Sequence, residues 1–310
     1  MLLRNGHIHT IYPTLFRKVE NVDYVREHIV TPDQDYLALD WVRAGSKTVA
    51  IITHGLEGDS QRHYVKGMVR ALNLAGIDAL AWNFRWSSGE PNRQLRFTHN
   101  GAIDDLQTVI HHASLRYQRI ILIGFSMGGN LSLLYLGKRA NSISDSVKGC
   151  ISFSVPCDLA DASLALAKLE NILYMKRFLK LLHQKVKTIK MHFPTEIDDH
   201  DFCRLKNFKD FDDKYTAPMH GFASAEDYWT QCSSRPWLKH IKVNAVIINS
   251  IDDPFLQGGC YPVEECTINP MVTLEITRYG GHVGFVQHGA SGCYWSEVRA
   301  VNFIKELNGF

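Results

Sequence analysis

Two periods of apolar and polar residues alternate along this chain, and the switches between them outline a layered α/β protein. Tyr36–Val42 alternates residue by residue, the pattern of a half-buried edge strand. Thr48–Thr53 and Ala79–Phe84 are almost wholly apolar, as strands covered on both faces are. Between them Val65, Met68, Val69 and Leu72 recur at helical spacing, and Gly76 closes that helix. Ile103, Leu106, Ile110 and Ala113 predict the next amphipathic helix, and the strand Ile120–Ile123 follows. Further strands are expected at Gly149–Val155, Ala245–Ser250 and Val272–Thr277, then a C-terminal helix with Trp295, Val298 and Val301 on one stripe. Such alternation predicts a mostly parallel sheet with helices on both faces.

The alternation stops from Pro156 to about Lys242. That stretch is helical and polar by pattern, so residues 1–310 read as one α/β domain with 156–242 as a helical cap insertion over the sheet's C-terminal edge. Within it, Met175–His192 holds six Lys or Arg and no acid. A solvated helix face with snorkelling lysines accounts for this, and peripheral contact of helix 175–192 with a membrane is the second reading.

The sharpest chemical signal is Gly124-Phe125-Ser126-Met127-Gly128, a G-x-S-x-G run directly after a strand and directly before a helix. A serine on that strained turn presents its hydroxyl to substrate, so Ser126 is the expected nucleophile. Serine needs a base, and the base needs an orienting acid. Both follow in the expected order at the ends of later strands. Asp252-Asp253-Pro254 comes after Ala245–Ser250, and Gly281-His282-Val283 after Val272–Thr277. His282 is the expected base. Asp253 is preferred as the acid because it directly precedes Pro254, while Asp252 caps the loop or takes the orienting role instead. Backbone N–H groups of Met127 and of Leu56, in the loop His54-Gly55-Leu56-Glu57-Gly58, are the expected oxyanion donors. His54 reads as a loop-fixing residue, with a second base as the alternative.

Bulk composition excludes several classes. The chain is 45% hydrophobic and 21% charged with a net charge of +2, which gives no global argument for nucleic acid or for a membrane surface. Seven scattered cysteines without C-x-x-C spacing suggest reduced thiols. The apolar start Met1–Leu3 is too short for a signal peptide, and no window is long enough to span a bilayer, so a cytoplasmic protein is expected. No Walker or G-x-G-x-x-G sequence occurs, and no cofactor is expected. His7-Ile8-His9 and Asp198-Asp199-His200-Asp201 have metal-ligand residue types without a third partner at telling spacing. His99 and Asp104 fit H-x-x-x-x-D, a pattern associated with acyltransferases, although Asp104 also suits the positive end of a helix.

These motifs together resemble the AB hydrolase superfamily and, within it, the AB hydrolase 4 family of YheT-like hydrolases. The likeness spans nearly the whole chain. It rests on Asn5–Ile11, His54–Gly58, Trp82–Arg93, Phe211–Pro218 with Gly221-Phe222, Asp252–Phe255 and Gly281–Phe285. Trp86 stands where the family usually has glycine, His9 replaces a usual glutamine, and Glu57 sits where a small or hydroxyl residue is common. By this reading Trp86 lies next to the site and narrows its pocket. The resemblance implies the α/β-hydrolase fold and hydrolysis of carboxylic esters, with lipid or acylglycerol esters favoured in animal members. An acyltransferase, thioesterase or amidase using the same three residues, or a ligand-binding member without turnover, are the other readings. Acyl length and oligomeric state are not legible.

Overall fold

The computed structural model of the chain describes residues 4–287 and 292–308, and among these eight strands form one sheet. They are β1 (Val25–Val30), β2 (Tyr36–Val42), β3 (Thr48–Thr53), β4 (Asp78–Asn83), β5 (Arg119–Phe125), β6 (Val147–Phe153), β7 (Asn244–Ser250) and β8 (Val272–Thr277). Their spatial order is β1-β2-β4-β3-β5-β6-β7-β8. The β1–β2 and β2–β4 pairs are antiparallel and all the others are parallel. The helices are α1 (Gly6–Phe16), α2 (His63–Leu74), α3 (Ile103–Ser114), α4 (Met127–Lys138), α5 (Leu159–Leu166), α6 (Ile172–His192), α7 (Phe208–Phe211), α8 (Ala217–His220), α9 (Ala225–Cys232), α10 (Val263–Ile268) and α11 (Trp295–Asn308). This is the α/β-hydrolase fold.

The continuous apolar runs of the central strands have a simple cause. Val49 and Ile51 of β3 and Ile120 and Leu122 of β5 join one core with α3 and α4. Their neighbours Ala50, Ile52, Ile121 and Ile123 join a second core with α2 and α11 on the other face. Successive side chains point to opposite faces, so a strand covered on both sides must be apolar at every position. Gly76 has φ +73°, the left-handed conformation that ends α2 at low cost.

Two expectations are corrected. β2 is not an edge strand: β1 pairs outside it, and its five central residues are buried. Its polar member Asp40 misled the alternation pattern, because that carboxylate is buried against Arg26, Ser60 and Asn83. On α11 the buried stripe is Glu297, Ala300, Phe303 and Ile304, while Val298 is exposed. Glu297 faces inward because Arg17 pairs with it at 2.6 Å. The apolar start Met1–Leu3 lies outside the described residues.

Between β6 and β7 the described residues form helices and turns with no strand. Helix α6 and the turns after it share a core of their own, in which Leu182, Val186, Phe202, Phe208 and Phe211 pack with Trp86 and Phe97. The basic run on α6 divides. Lys185 is buried and Lys190 pairs with Asp199 at 2.6 Å, whereas Lys176, Arg177, Lys180 and Lys187 are exposed. No helix among the described residues is long and apolar enough to cross a membrane.

Candidate active site

Ser126 sits between β5 and α4 with φ 53° and ψ −119°, a strained conformation for a residue with a side chain. The turn exists because its glycines allow contacts that no Cβ could make. A Cβ at Gly124 would lie 2.4 Å from the Gly129 Cα, and one at Gly128 would lie 2.3 Å from the Thr53 carbonyl oxygen. The Ser126 N–H donates to the Phe153 carbonyl at 2.9 Å, tying the turn to β6.

The loops after β7 and β8 bring the other two candidates to this hydroxyl. His282 Nε2 lies 2.9 Å from Ser126 Oγ, and His282 Nδ1 lies 2.9 and 3.1 Å from the two carboxylate oxygens of Asp253. Asp253 is fully buried and also accepts from the Phe255 N–H. Asp252 points elsewhere: its Oδ1 accepts from both the Gly280 and Gly281 N–H groups at 2.9 Å, holding the histidine loop from below. The two adjacent acids therefore have separate partners. The histidine is fixed at its backbone too, where its N–H donates to Thr10 Oγ1 at 2.8 Å. Asn249 bridges the loops after β6 and β7 by accepting from the Val155 N–H and donating to the Val155 and Cys260 carbonyls.

Leu56 and Met127 both border the cavity that Ser126 and His282 line. The loop of Leu56 is held from behind by His54, whose Nδ1 pairs with the Gly55 carbonyl at 2.8 Å and whose Nε2 accepts from the Phe84 N–H. Burial pushes the His54 pKa down to about 3, so this ring is neutral. With both ring nitrogens engaged it is a loop anchor. Tyr64 adds a second hold, accepting from the Gly55 N–H at 3.0 Å, and burial raises its own pKa to about 12. Glu57, with φ 53°, forms a buried ion pair with Lys185 of α6 at 2.6 Å.

The cavity has a volume of about 630 Å³. The helical segment lines it largely with apolar side chains, among them Leu159, Leu166, Phe178, Leu182, Phe208 and Phe211, while Arg17, Lys18, Arg62 and Lys66 border it from α1, α2 and the residues beside them. Trp86 does not line it; its ring packs on His192 and Phe193 at the far end of α6, so the expected narrowing is absent. A polar exception in the wall is Asp212, which accepts from Thr216 Oγ1 at 2.6 Å and Trp229 Nε1 at 2.8 Å. Burial raises its pKa to about 6.

The weaker signals find other partners. His99 stacks on His220 with ring centroids 3.9 Å apart, and Asp104 pairs with Arg96 at 2.8 Å. His7 stacks on Tyr174, and His9 Nδ1 accepts from the Val286 N–H. Asp199 pairs with Lys190. Among the described residues no three metal-ligand side chains gather.

Residues 44–219 match the hydrolase family described as serine aminopeptidase, S33. The chain is 32% identical to YheT of Escherichia coli (strain K12) over 295 residues, covering 91% of this chain and 84% of that protein. The chain belongs to the YheT-like AB hydrolase 4 family. This hydrolase is also 31% identical to phospholipase ABHD3 of Homo sapiens over 278 residues, covering 86% of this chain and 68% of that one. Monoacylglycerol lipase of Saccharomyces cerevisiae is 26% identical, over 89% of this chain and 62% of its own. Among solved structures the Pyrococcus furiosus esterase Pf2001 superposes with a TM-score of 0.62 at 19% identity, covering 94% of this chain and 96% of that one, a likeness of fold.

Three contributors to this hydrolase's site have no role assigned from sequence, although Thr10 lies in the Asn5–Ile11 segment that carries the family resemblance. Thr10 and the rest of α1 carry little helical patterning, although Asn5 caps the helix by accepting from the Ile8 N–H. Asn249 looks like an ordinary strand residue. Lys185 was hidden among the other lysines of α6; only its neighbours Leu182, Val186 and Ile189, which mark the buried stripe, set it apart.

Proposed function

We propose that this protein is a serine hydrolase of carboxylic esters that works through an acyl-enzyme on Ser126. His282 Nε2 takes the hydroxyl proton as Oγ attacks the ester carbonyl, while Asp253 orients the imidazole and stabilises its cation. The N–H groups of Leu56 and Met127 hold the oxyanion. His282 returns the proton to the leaving alcohol, and water repeats the steps to release the acid. The helical segment 156–242 is the cap, and its apolar wall takes the acyl chain. The single observation that carries this reading is the unbroken run of contacts from Asp253 through His282 to Ser126.

The apolar cavity favours a lipid or acylglycerol ester, in keeping with the names of the human and yeast relatives. A reducing, cytoplasmic setting belongs to this reading, on the seven scattered cysteines without C-x-x-C spacing. Ser126→Ala should remain folded by circular dichroism and lose ester turnover by about 10⁴-fold or more across a panel of graded acyl length. Normal turnover by that variant would remove the mechanism.

A further inference from the structure

The mouth of the cavity has an apolar rim that the chemistry does not use. Helix α1 leaves Ile11, Leu15 and Phe16 exposed, the last two at 65% each. At the start of α6, Leu173 is 76% exposed, and Leu169, just before the helix, is 86% exposed. The two elements are neighbours: the rings of His7 and Tyr174 stack 5.8 Å apart, and His7 Nδ1 lies 3.0 Å from the tyrosine hydroxyl. Ile11 and Thr14 of α1 border the same cavity as Tyr174 and Arg177 of α6. Apolar side chains of this size, left in water on two elements that border one cavity, mark a docking surface.

Charge identifies the partner. Lys176, Arg177 and Lys180 follow Leu173 at spacings of three, four and seven, so they share its face of α6, and all are exposed. Neither α1 nor α6 contains an Asp or Glu, and exposed Lys18 continues the rim beyond α1. Glu170, beside Leu169, and Glu20, just past Lys18, are exposed acids at its border. The C-terminal half of α6 differs, since Lys185 and Lys190 are paired internally with Glu57 and Asp199.

We propose that α1 and the first turns of α6 dock on an anionic lipid bilayer, so that the cavity opens onto the membrane surface. Leu15, Phe16, Leu169 and Leu173 enter the boundary between headgroups and acyl chains, while Lys176, Arg177 and Lys180 meet the anionic headgroups. This rests on the ester-hydrolase reading only in naming where the substrate comes from; docking itself needs no turnover.

Co-sedimentation of the full chain with vesicles of phosphatidylcholine, with and without phosphatidylglycerol, tests the proposal. Wild type and Ser126→Ala should bind the phosphatidylglycerol vesicles alike, and the bound fraction should fall with added salt. The pairs Leu15→Asp/Leu173→Asp and Lys176→Glu/Lys180→Glu should each weaken partitioning by about tenfold or more. Hydrolysis of a water-soluble short-chain ester should be unchanged in both, since none of the four residues lines the cavity. Failure of wild type to bind, or equal binding by the rim variants, overturns the proposal. So does a dimer in sedimentation velocity that Leu15→Asp/Leu173→Asp dissolves without any vesicle binding. Vesicle binding by a chain that turns over no ester would leave the docking surface standing and sink the hydrolase reading alone.

Discussion

The loops carrying Ser126, Asp253 and His282 are held by individual hydrogen bonds, whereas α6 and the turns packed against it are held mainly by buried aliphatic and aromatic side chains. Each loop contact has one donor and one acceptor at a fixed distance, and losing either leaves a buried group unsatisfied. The apolar wall spreads its cohesion over many contacts, each of them small. One cavity thus has a floor fixed by single contacts and a roof held by many weak ones. The Glu57–Lys185 pair is the exception, a polar tie from roof to floor.

The sharpest way to break this contrast uses the two adjacent acids. Asp253→Asn should lower ester turnover by about 10⁴-fold with little loss of stability, because the imidazole loses its orienting charge. Asp252→Ala should instead lower stability by about 1–3 kcal/mol, since it strands the Gly280 and Gly281 N–H groups. Steady-state kinetics and urea unfolding of both variants read the difference, and the reverse outcome would exchange their roles.

The roof-to-floor tie comes next. Lys185→Met leaves the Glu57 carboxylate buried and unpaired and should cost about 3–5 kcal/mol in urea unfolding. Lys185→Met/Glu57→Gln should recover most of that loss. If the single variant is as stable as the double one, the pair contributes nothing and the two regions meet only through apolar packing.

The smallest effect concerns the polar residue of the roof. Burial keeps Asp212 protonated up to about pH 6, against an ordinary value of 3.8. Between those values the folded chain binds more protons than the unfolded one. The stability from this group is therefore complete below 3.8 and is lost as pH rises through about 6. Asp212→Asn should remove on the order of 3 kcal/mol of pH-dependent change in the urea-unfolding free energy across that interval. An unchanged slope would mean that the carboxylate is solvated.

Much of the site was legible because its signals are local. A strand, a serine with glycines two residues to either side and a helix point to the turn at Ser126 from a few neighbours. The order of Asp253 and His282 after it follows from strands readable as an apolar run at Ala245–Ser250 and as an alternation at Val272–Thr277. β1 was not legible, because only Ile29 of its six residues is buried and its pairing with β2 supplies the rest. Trp86 was placed at the pocket from its sequence neighbours, but packing on His192 and Phe193 turns the ring away.

The chain's own order of residues determined the layered architecture and the three candidate catalytic side chains, since strand period and turn chemistry act over a few neighbours. Tertiary structure alone decided what the second acid, Asp252, holds, which lysine of a basic helix is buried, and that α1 closes over the histidine loop. Those outcomes depend on distances between segments far apart in the chain, and periodicity carries no record of such distances.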